Sequence, residues 1–286
     1  MHEQTFTVVI PARDEAEGLR TVLPELRRRY PQAEILVVDD GSTDDTAQVA
    51  AASAARVLRQ PYSMGNGAAV KAGARAASAP VIVFMDADGQ HSSGDVDRLL
   101  EELGNGYEMV VGARTSGSHA SGPRKLANAC YNLLASWITG RRILDLTSGF
   151  RAARADRFRE FLHLLPNGFS YPTTITMCFL RAGYPVKYVP ITTANRVGRS
   201  HIRPLRDGLR FMLIIFRIGT LYSPLKIFFP VSAFLFLLGL GNYAYTWVTA
   251  ERFTNMSALL LLASVLVFLI GLVSEQITAL MYQRQD

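Results

Sequence analysis

The chain has 286 residues, 49% hydrophobic and 19% charged, with two cysteines and a net charge of +6. That balance excludes a disordered chain, and two cysteines exclude a disulfide scaffold. The 22 glycines and 13 prolines are too few for a collagen-like or low-complexity protein.

The first two hundred residues alternate strand and helix patterns. Met1-His2-Glu3-Gln4 lacks the basic and apolar regions of a signal peptide. Phe6 to Ile10, Ile35 to Val38, Val81 to Met85 and Met109 to Val111 are short apolar runs, suited to strands buried on both faces. Leu19, Val22, Leu23, Leu26 and Tyr30 repeat at helical spacing, with Pro24 a predicted kink. Thr43-Asp44-Asp45 and Ser92-Ser93 precede two further helical patterns as caps. Strand-helix alternation predicts an α/β fold with a mostly parallel sheet and right-handed crossovers.

In such sheets ligands bind beyond the carboxyl ends of the strands. Three strands end in polar chemistry: Pro11-Ala12-Arg13-Asp14-Glu15, Asp39-Asp40-Gly41-Ser42 and Asp86-Ala87-Asp88-Gly89-Gln90-His91. Asp86 and Asp88 are the sharpest pair. A hard divalent cation takes oxygen ligands, and Mg²⁺ takes one or two carboxylates plus substrate phosphates. The competing reading is a solvated turn. Gly65-Asn66-Gly67-Ala68-Ala69-Val70-Lys71 fails the spacing of a phosphate loop and reads instead as close helix-to-sheet packing.

The C-terminal third carries the segregated charge and hydrophobicity. Between Arg196 and Lys226 lie seven Lys/Arg and one acid, a net +6 that equals the charge of the whole chain. Arg203, Arg206, Arg210 and Arg217 share one helical face, predicting an amphipathic interfacial helix on anionic lipid rather than an ordinary surface helix. From 227 to 248, and again from 253 to 274, there is no charged side chain. Each run, as a helix, spans roughly 30 Å, the thickness of a bilayer core. A transmembrane hairpin outranks two buried helices of a soluble core. The basic flank places both ends and the α/β domain on the cytoplasmic face of the plasma (inner) membrane, with the loop at 249–252 outside. A nucleic-acid binder ranks low, because the basic charge lies beside the spans.

Taken together, Val-Val-Ile-Pro-Ala-Arg-Asp-Glu (8–15), Val-Val-Asp-Asp-Gly-Ser-Thr-Asp (37–44) and Phe-Met-Asp-Ala-Asp-Gly-Gln-His (84–91) resemble glycosyltransferase family 2. Asp-Leu-Thr-Ser-Gly-Phe-Arg (145–151) and Asn-Arg-Val-Gly-Arg-Ser-His (195–201) resemble its dolichyl-phosphate mannose synthase and bacterial polyprenyl-phosphate branch. The resemblance implies a GT-A (Rossmann-like) nucleotide-sugar domain at 1–202, the juxtamembrane helix at 203–226 and the hairpin at 227–286, with spans about 227–248 and 253–275.

The resemblance also implies roles. Pro11, Arg13, Glu15, Asp39 and Asp40 line the nucleoside pocket. Asp86, Ala87, Asp88 and Gln90 meet the donor diphosphate, with Asp86, Asp88 and Gln90 holding Mg²⁺ or Mn²⁺. Arg114 and Arg124 hold the acceptor phosphate. Arg196, Arg199 and Ser200 close over the donor. The sequence departs from the family at Arg13-Asp14, at Ser92-Ser93-Gly94 and at Phe169-Ser-Tyr-Pro-Thr173. The implied reaction is inverting transfer of a hexose from a nucleotide-sugar, a UDP-sugar first, to polyprenyl (undecaprenyl) phosphate in the membrane. A lipid monophosphate with a second pKa of about 6 is mostly ionised near neutrality, so it needs no general base. A GDP-mannose-dependent mannose synthase is the alternative. A polysaccharide synthase and a catalytically silent membrane scaffold rank lower. Related enzymes imply a homo-oligomer.

Overall fold

A computed structural model describes residues 5–114, 122–168, 170–192, 216, 219–220 and 222–282, with the backbone alone at 122–128, 130 and 282. Two compact units divide the chain between 205 and 206, with Ala135–Gly140 counted in the second.

The first unit is an α/β layer structure. Its strands are β1 (Phe6–Ala12), β2 (Glu34–Asp39), β3 (Arg56–Arg59), β4 (Val81–Phe84), β5 (Met109–Arg114), β6 (Arg151–Arg154) and β7 (Val186–Ile191). They form one sheet in the order β3-β2-β1-β4-β6-β5-β7. β6 runs antiparallel to β4 and β5, and every other pairing is parallel. The mostly parallel prediction therefore holds.

The helices are α1 (Ala16–Arg29), α2 (Thr46–Ala52), α3 (Asn66–Ala76), α4 (Gly94–Gly104), α5 (Gly122–Thr139), α6 (Ala155–Glu160) and α7 (Tyr171–Arg181). The apolar face of α1 buries Leu19, Val22, Leu23 and Leu26, and the helix continues through Pro24. The core joins these to Val8, Ile10, Ile35, Val37, Val81 and Val83 from the central strands. Burial of both sheet faces explains why these strands read as unbroken apolar runs.

The predicted caps do not form: neither Asp45 nor Ser93, the residues just before α2 and α4, makes a side-chain hydrogen bond to its helix, and the residues before them make tight turns instead. Asp44 Oδ1 accepts the Thr46 N–H at 3.0 Å, and Ser92 Oγ accepts the Gly94 N–H at 3.2 Å. Small residues of α3 let it approach the sheet, as predicted. A Cβ on Gly73 would lie 2.3 Å from Val9 Cγ1. Gly67 has a different neighbour: its Cβ would meet the Pro166 carbonyl oxygen at 2.1 Å. The glycine-rich segment thus packs on a loop as well as on the sheet.

The second unit contains α8 (Pro224–Ala250) and α9 (Asn255–Tyr282), both long and apolar enough to cross a membrane. α8 overruns its predicted span at both ends, whereas α9 starts two residues later than predicted and ends beyond it, so the connection is 251–254 rather than 249–252, with Glu251 in the left-handed region at φ 49°. The outward faces are apolar: Phe234, Val248 and Leu262 are more than half exposed. Between the helices, Ser232 Oγ donates to the Ser264 carbonyl at 2.8 Å, and Asn242 Oδ1 accepts from Ser257 Oγ at 3.0 Å. Polar groups inside the pair and apolar groups outside fit lipid as the surrounding solvent. The amphipathic helix predicted at 203–226 lies largely outside the described residues.

Candidate active site

The crevice begins where β1 and β4 part. Their pairing stops at Val9↔Phe84, whereas β1 stays paired with β2 to Ala12↔Asp39. Strand order reverses direction here, with β2 and β3 to one side of β1 and β4 to the other, which is where such sheets bind ligands. Pro11 lies beyond the last β1–β4 pair, so its missing N–H costs that ladder nothing.

The loops after β1 and β2 are latched together. Asp14 adopts φ 52°, and its Oδ1 accepts the Thr43 N–H at 2.8 Å. Ser42 Oγ accepts the Asp14 N–H at 3.0 Å, and Thr46 Oγ1 accepts the Glu15 N–H at 3.0 Å. Asp39 is wholly buried; its Oδ1 accepts the Ser42 N–H at 2.9 Å and its Oδ2 faces Arg59 Nε at 3.3 Å. Asp40 accepts the N–H groups of Met64 at 2.7 Å and Gly65 at 3.0 Å, and the Ser63 hydroxyl at 2.8 Å. Arg13 donates to Ser63 Oγ at 2.9 Å. Pro11, Arg13, Glu15, Asp39 and Asp40 are thus gathered at adjacent strand ends, with Asp40 also fixing the loop after β3. A cavity of about 310 Å³ opens beside them, lined by Gly41, Ser42, Arg59, Gln60 and Pro61. Gln60, 5% exposed, was not singled out in the sequence, and a lone glutamine after a short strand gives no signal.

The Asp86-Ala87-Asp88 turn sits at the end of β4. The Asp86 side chain is 40% exposed and lies 3.7 Å from His91 Nε2. His91 stacks on Phe150 with centroids 4.7 Å apart and an interplanar angle of 12°. Asp88 Oδ1 accepts the Gln90 N–H at 3.2 Å. α1 presses on this turn: a Cβ on Gly18 would lie 2.1 Å from the Ala87 carbonyl oxygen. Farther along, the Tyr30 hydroxyl donates to the Ser93 carbonyl at 2.7 Å, and Ser93 Oγ donates to Glu25 at 2.6 Å. Among the described residues no three His, Cys, Asp or Glu side chains gather as a metal cage. Two carboxylates at one turn suit a hard cation that draws its remaining oxygens from a diphosphate.

Arg114 ends β5 with its guanidinium bonded to Asp145. Nε donates to Oδ2 at 2.8 Å, Nη2 to Oδ1 at 3.0 Å, and Nη2 also to Thr147 Oγ1 at 2.6 Å. The Asp145 hydrogen bonds hold the guanidinium charged against its own burial. Burial pushes the Asp145 carboxyl up, but Arg114 and two backbone N–H groups outweigh it and hold the carboxyl below its ordinary range. The same segment reaches Asp86, since a Cβ on Gly149 would lie 3.1 Å from Asp86 Oδ2. Arg151 follows, fully buried, donating to the carbonyls of Ser148 and Pro172 and to Thr176 Oγ1. Sequence reasoning quoted this segment as a motif but missed that Asp145 grips Arg114. A 31-residue separation hides the pair. Arg124 falls on α5 with its side chain outside the described residues, as are Arg196, Arg199 and Ser200.

Residues 7–162 match the profile of Glycosyl transferase family 2, more than half of the chain. The chain belongs to glycosyltransferase family 2. It is therefore a transferase, with a mostly parallel GT-A-like sheet. Residues 223–280 match the GtrB C-terminal hairpin. Undecaprenyl-phosphate mannosyltransferase of Micrococcus luteus is 33% identical over 67% of this chain and 85% of that one. Dolichyl-phosphate hexose transferase of Haloferax volcanii is 30% identical over 73% and 92%. Glucosyl-3-phosphoglycerate synthase of Mycobacterium tuberculosis, crystallised with Mn²⁺ and UDP, shares the fold at a TM-score of 0.61 and 24% identity, covering 76% of this chain and 80% of that one.

Proposed function

We propose that this transferase moves a hexose from a nucleotide-sugar to a polyprenyl phosphate at the cytoplasmic face of a membrane, with inversion. The observation that carries this reading is one chain joining a family 2 domain to a membrane hairpin. The names of the Micrococcus and Haloferax relatives support the lipid phosphate as acceptor. The parts are a catalytic domain at 1–202, a juxtamembrane connection at 203–226 and the anchor at 227–286. The basic stretch before α8 keeps both ends cytoplasmic.

Asp86 and Asp88, with Gln90, hold a divalent cation, and the Mn²⁺ in the mycobacterial neighbour supports that class of metal. The cation, when bound, neutralises charge on the departing nucleoside diphosphate. Pro11, Arg13, Glu15, Asp39 and Asp40 seat the nucleoside. Arg114 and Arg124 align the acceptor phosphate, and Arg196, Arg199 and Ser200 cover the donor phosphates. An ionised phosphate oxygen attacks the anomeric carbon directly, so no side chain has to remove a proton. The chain's task is to bring two anions together, which its arginines do by charge and by directed hydrogen bonds.

Membranes carrying the protein are given undecaprenyl phosphate and a panel of radiolabelled UDP- and GDP-sugars. Label enters an organic-extractable lipid with one donor, and Asp88→Ala abolishes it while the protein stays in the membrane. Label in a hydrophilic polymer would overturn the reading in favour of a polysaccharide synthase. Unchanged turnover in the variant would overturn the metal role.

A further inference from the structure

The cavity of about 310 Å³ lies where β2 and β3 end side by side, with Asp39 and Arg59 as their last paired residues. Gln60 comes next. Its backbone N–H donates to the Asp39 carbonyl at 2.8 Å, which fixes the chain there. Its side chain is 5% exposed and lines the cavity. Among the described residues neither Oε1 nor Nε2 of Gln60 has a hydrogen-bond partner. A buried amide with both ends unpaired costs stability, and a native chain keeps one for a reason.

The neighbouring wall does not answer it. Gly41 and Pro61 bring no hydrogen-bonding side chain, Ser42 Oγ already accepts the Asp14 N–H at 3.0 Å, and Arg59 Nε faces Asp39 Oδ2 at 3.3 Å. An amide shows one donor and one acceptor side by side, and exchanging its O and N leaves that true. A ligand that satisfies both has to show an acceptor beside a donor on one flat edge. A phosphate offers acceptors alone. The edge of a nucleobase fits, and a cavity at the small end of the roughly 300–1,000 Å³ that ligand pockets span suits one ring system. Asp39, a carboxylate at the same strand end, disfavours an edge whose ring nitrogen shows a lone pair. Uracil and guanine carry a ring N–H beside a carbonyl, whereas cytosine and adenine carry a bare ring nitrogen beside an amino group.

We propose that Gln60 is a specificity-determining residue that reads the nucleobase of the donor, pairing its amide with a ring N–H and the carbonyl next to it. The proposal rests on the nucleotide-sugar reading of the donor and adds the class of base, one with a lactam edge. A site built to hydrogen-bond a group rejects a ligand lacking it far more strongly than an apolar site does.

The test uses the full chain in nanodiscs with Mn²⁺, and calorimetry gives Kd for UDP, GDP, CDP and ADP. The unaltered protein binds UDP or GDP most tightly, with CDP and ADP weaker by about tenfold or more. Which of the two it prefers identifies the base. Gln60→Met keeps the length and removes both polar atoms; it weakens the preferred diphosphate about tenfold and leaves CDP and ADP within about twofold. Without ligand the variant melts no lower than the unaltered protein, because the amide has no protein partner to lose. A second arm needs no variant: the preferred diphosphate, methylated at its ring N–H, binds the unaltered protein about tenfold more weakly. Gln60→Met takes the methylated and unmethylated forms alike. A preference for CDP or ADP overturns the proposal, as does an equal loss for all four ligands in Gln60→Met. Lower melting with the preference among bases intact marks Gln60 as structural and also overturns it. Failure of the functional reading is separate: the unaltered protein would then bind none of the four diphosphates and make no lipid-linked sugar from any donor.

Discussion

Arg114 and Asp145 form a two-pronged ion pair at the mouth of the site, with Nε and Nη2 of the arginine 2.8 and 3.0 Å from the two carboxylate oxygens. The pair consumes the inner edge of the guanidinium, and among the described residues Nη1 has no hydrogen-bond partner. If Arg114 aligns the acceptor phosphate as proposed, the carboxylate fixes which edge of the guanidinium it meets. Asp145→Asn offers one oxygen where the fork needs two, and the arginine loses its orientation. Acceptor KM rises roughly tenfold, about 1.4 kcal/mol, while donor KM holds. Steady-state kinetics with each substrate varied in turn checks this. If Asp145 merely competed with phosphate for Arg114, the variant would bind acceptor more tightly, so the sign decides.

Two glycines set the position of the turn from Asp86 to Asp88, and their substitutions differ in kind. On Gly18 a Cβ meets backbone, the Ala87 carbonyl oxygen at 2.1 Å. Backbone cannot step aside, so Gly18→Ala displaces either α1 or the turn. The roughly 1 kcal/mol that alanine gains in a helix is outweighed by overpacking of about 1–3 kcal/mol. On Gly149 the Cβ meets only the end of the Asp86 side chain, at 3.1 Å. That carboxylate is partly exposed and can turn away. Gly18→Ala lowers the melting temperature and activity together. Gly149→Ala leaves melting unchanged and raises the metal concentration needed for half-maximal turnover, as a metal titration shows.

The fold was legible where physics is local. Val81–Phe84 and Ile35–Val38 are buried on both faces, and their apolar runs announced it. β6 is Arg-Ala-Ala-Arg and β3 is Arg-Val-Leu-Arg, and neither has such a run. β6 is made a strand by antiparallel neighbours on both sides, a tertiary cause that no window of sequence contains. The site divides the same way. Asp86 and Asp88 are two residues apart and readable. The links Asp145 to Arg114, Phe150 to His91 and Gly149 to Asp86 join segments 31 to 63 residues apart, and only folding brings them together.

Arg151 is held by geometry as much as by charge. Its guanidinium, wholly buried, reaches the Ser148 and Pro172 carbonyls and Thr176 Oγ1. Burial pulls its pKa down, and nearby Tyr171 and Asp145 pull the other way. A lysine keeps the charge but lacks the planar fork that spans these acceptors. Arg151→Lys leaves at least one buried carbonyl unpaired, at a cost of about 1–3 kcal/mol. Thermal melting in detergent measures the loss, and activity at temperatures below the transition falls less than stability does.

Glu34 supplies a pH signature remote from the site. It begins β2, at the opposite end of the strand from Asp39. Its Oε2 accepts from Thr7 Oγ1 at 2.6 Å, Ser78 N at 2.9 Å and Ser78 Oγ at 2.7 Å, and its Oε1 from Arg56 Nη1 at 3.0 Å. Burial pushes this carboxyl up, but the donors outweigh it and hold its pKa at about 2. An unfolded glutamate titrates near 4.3. The folded value lies below the unfolded one, so the contribution is complete above about 4.3 and fades as pH falls toward 2. Glu34→Gln therefore melts lower than the unaltered protein near pH 7, and the gap closes between about pH 4.3 and 2. Paired melting curves across that range check the window. A gap that stays constant down to the lowest pH would mean that shape, and not the carboxylate charge, holds the start of β2 to Ser78. Transfer activity near neutrality is unchanged in either case, because the substitution lies a full strand away from the Asp86 turn.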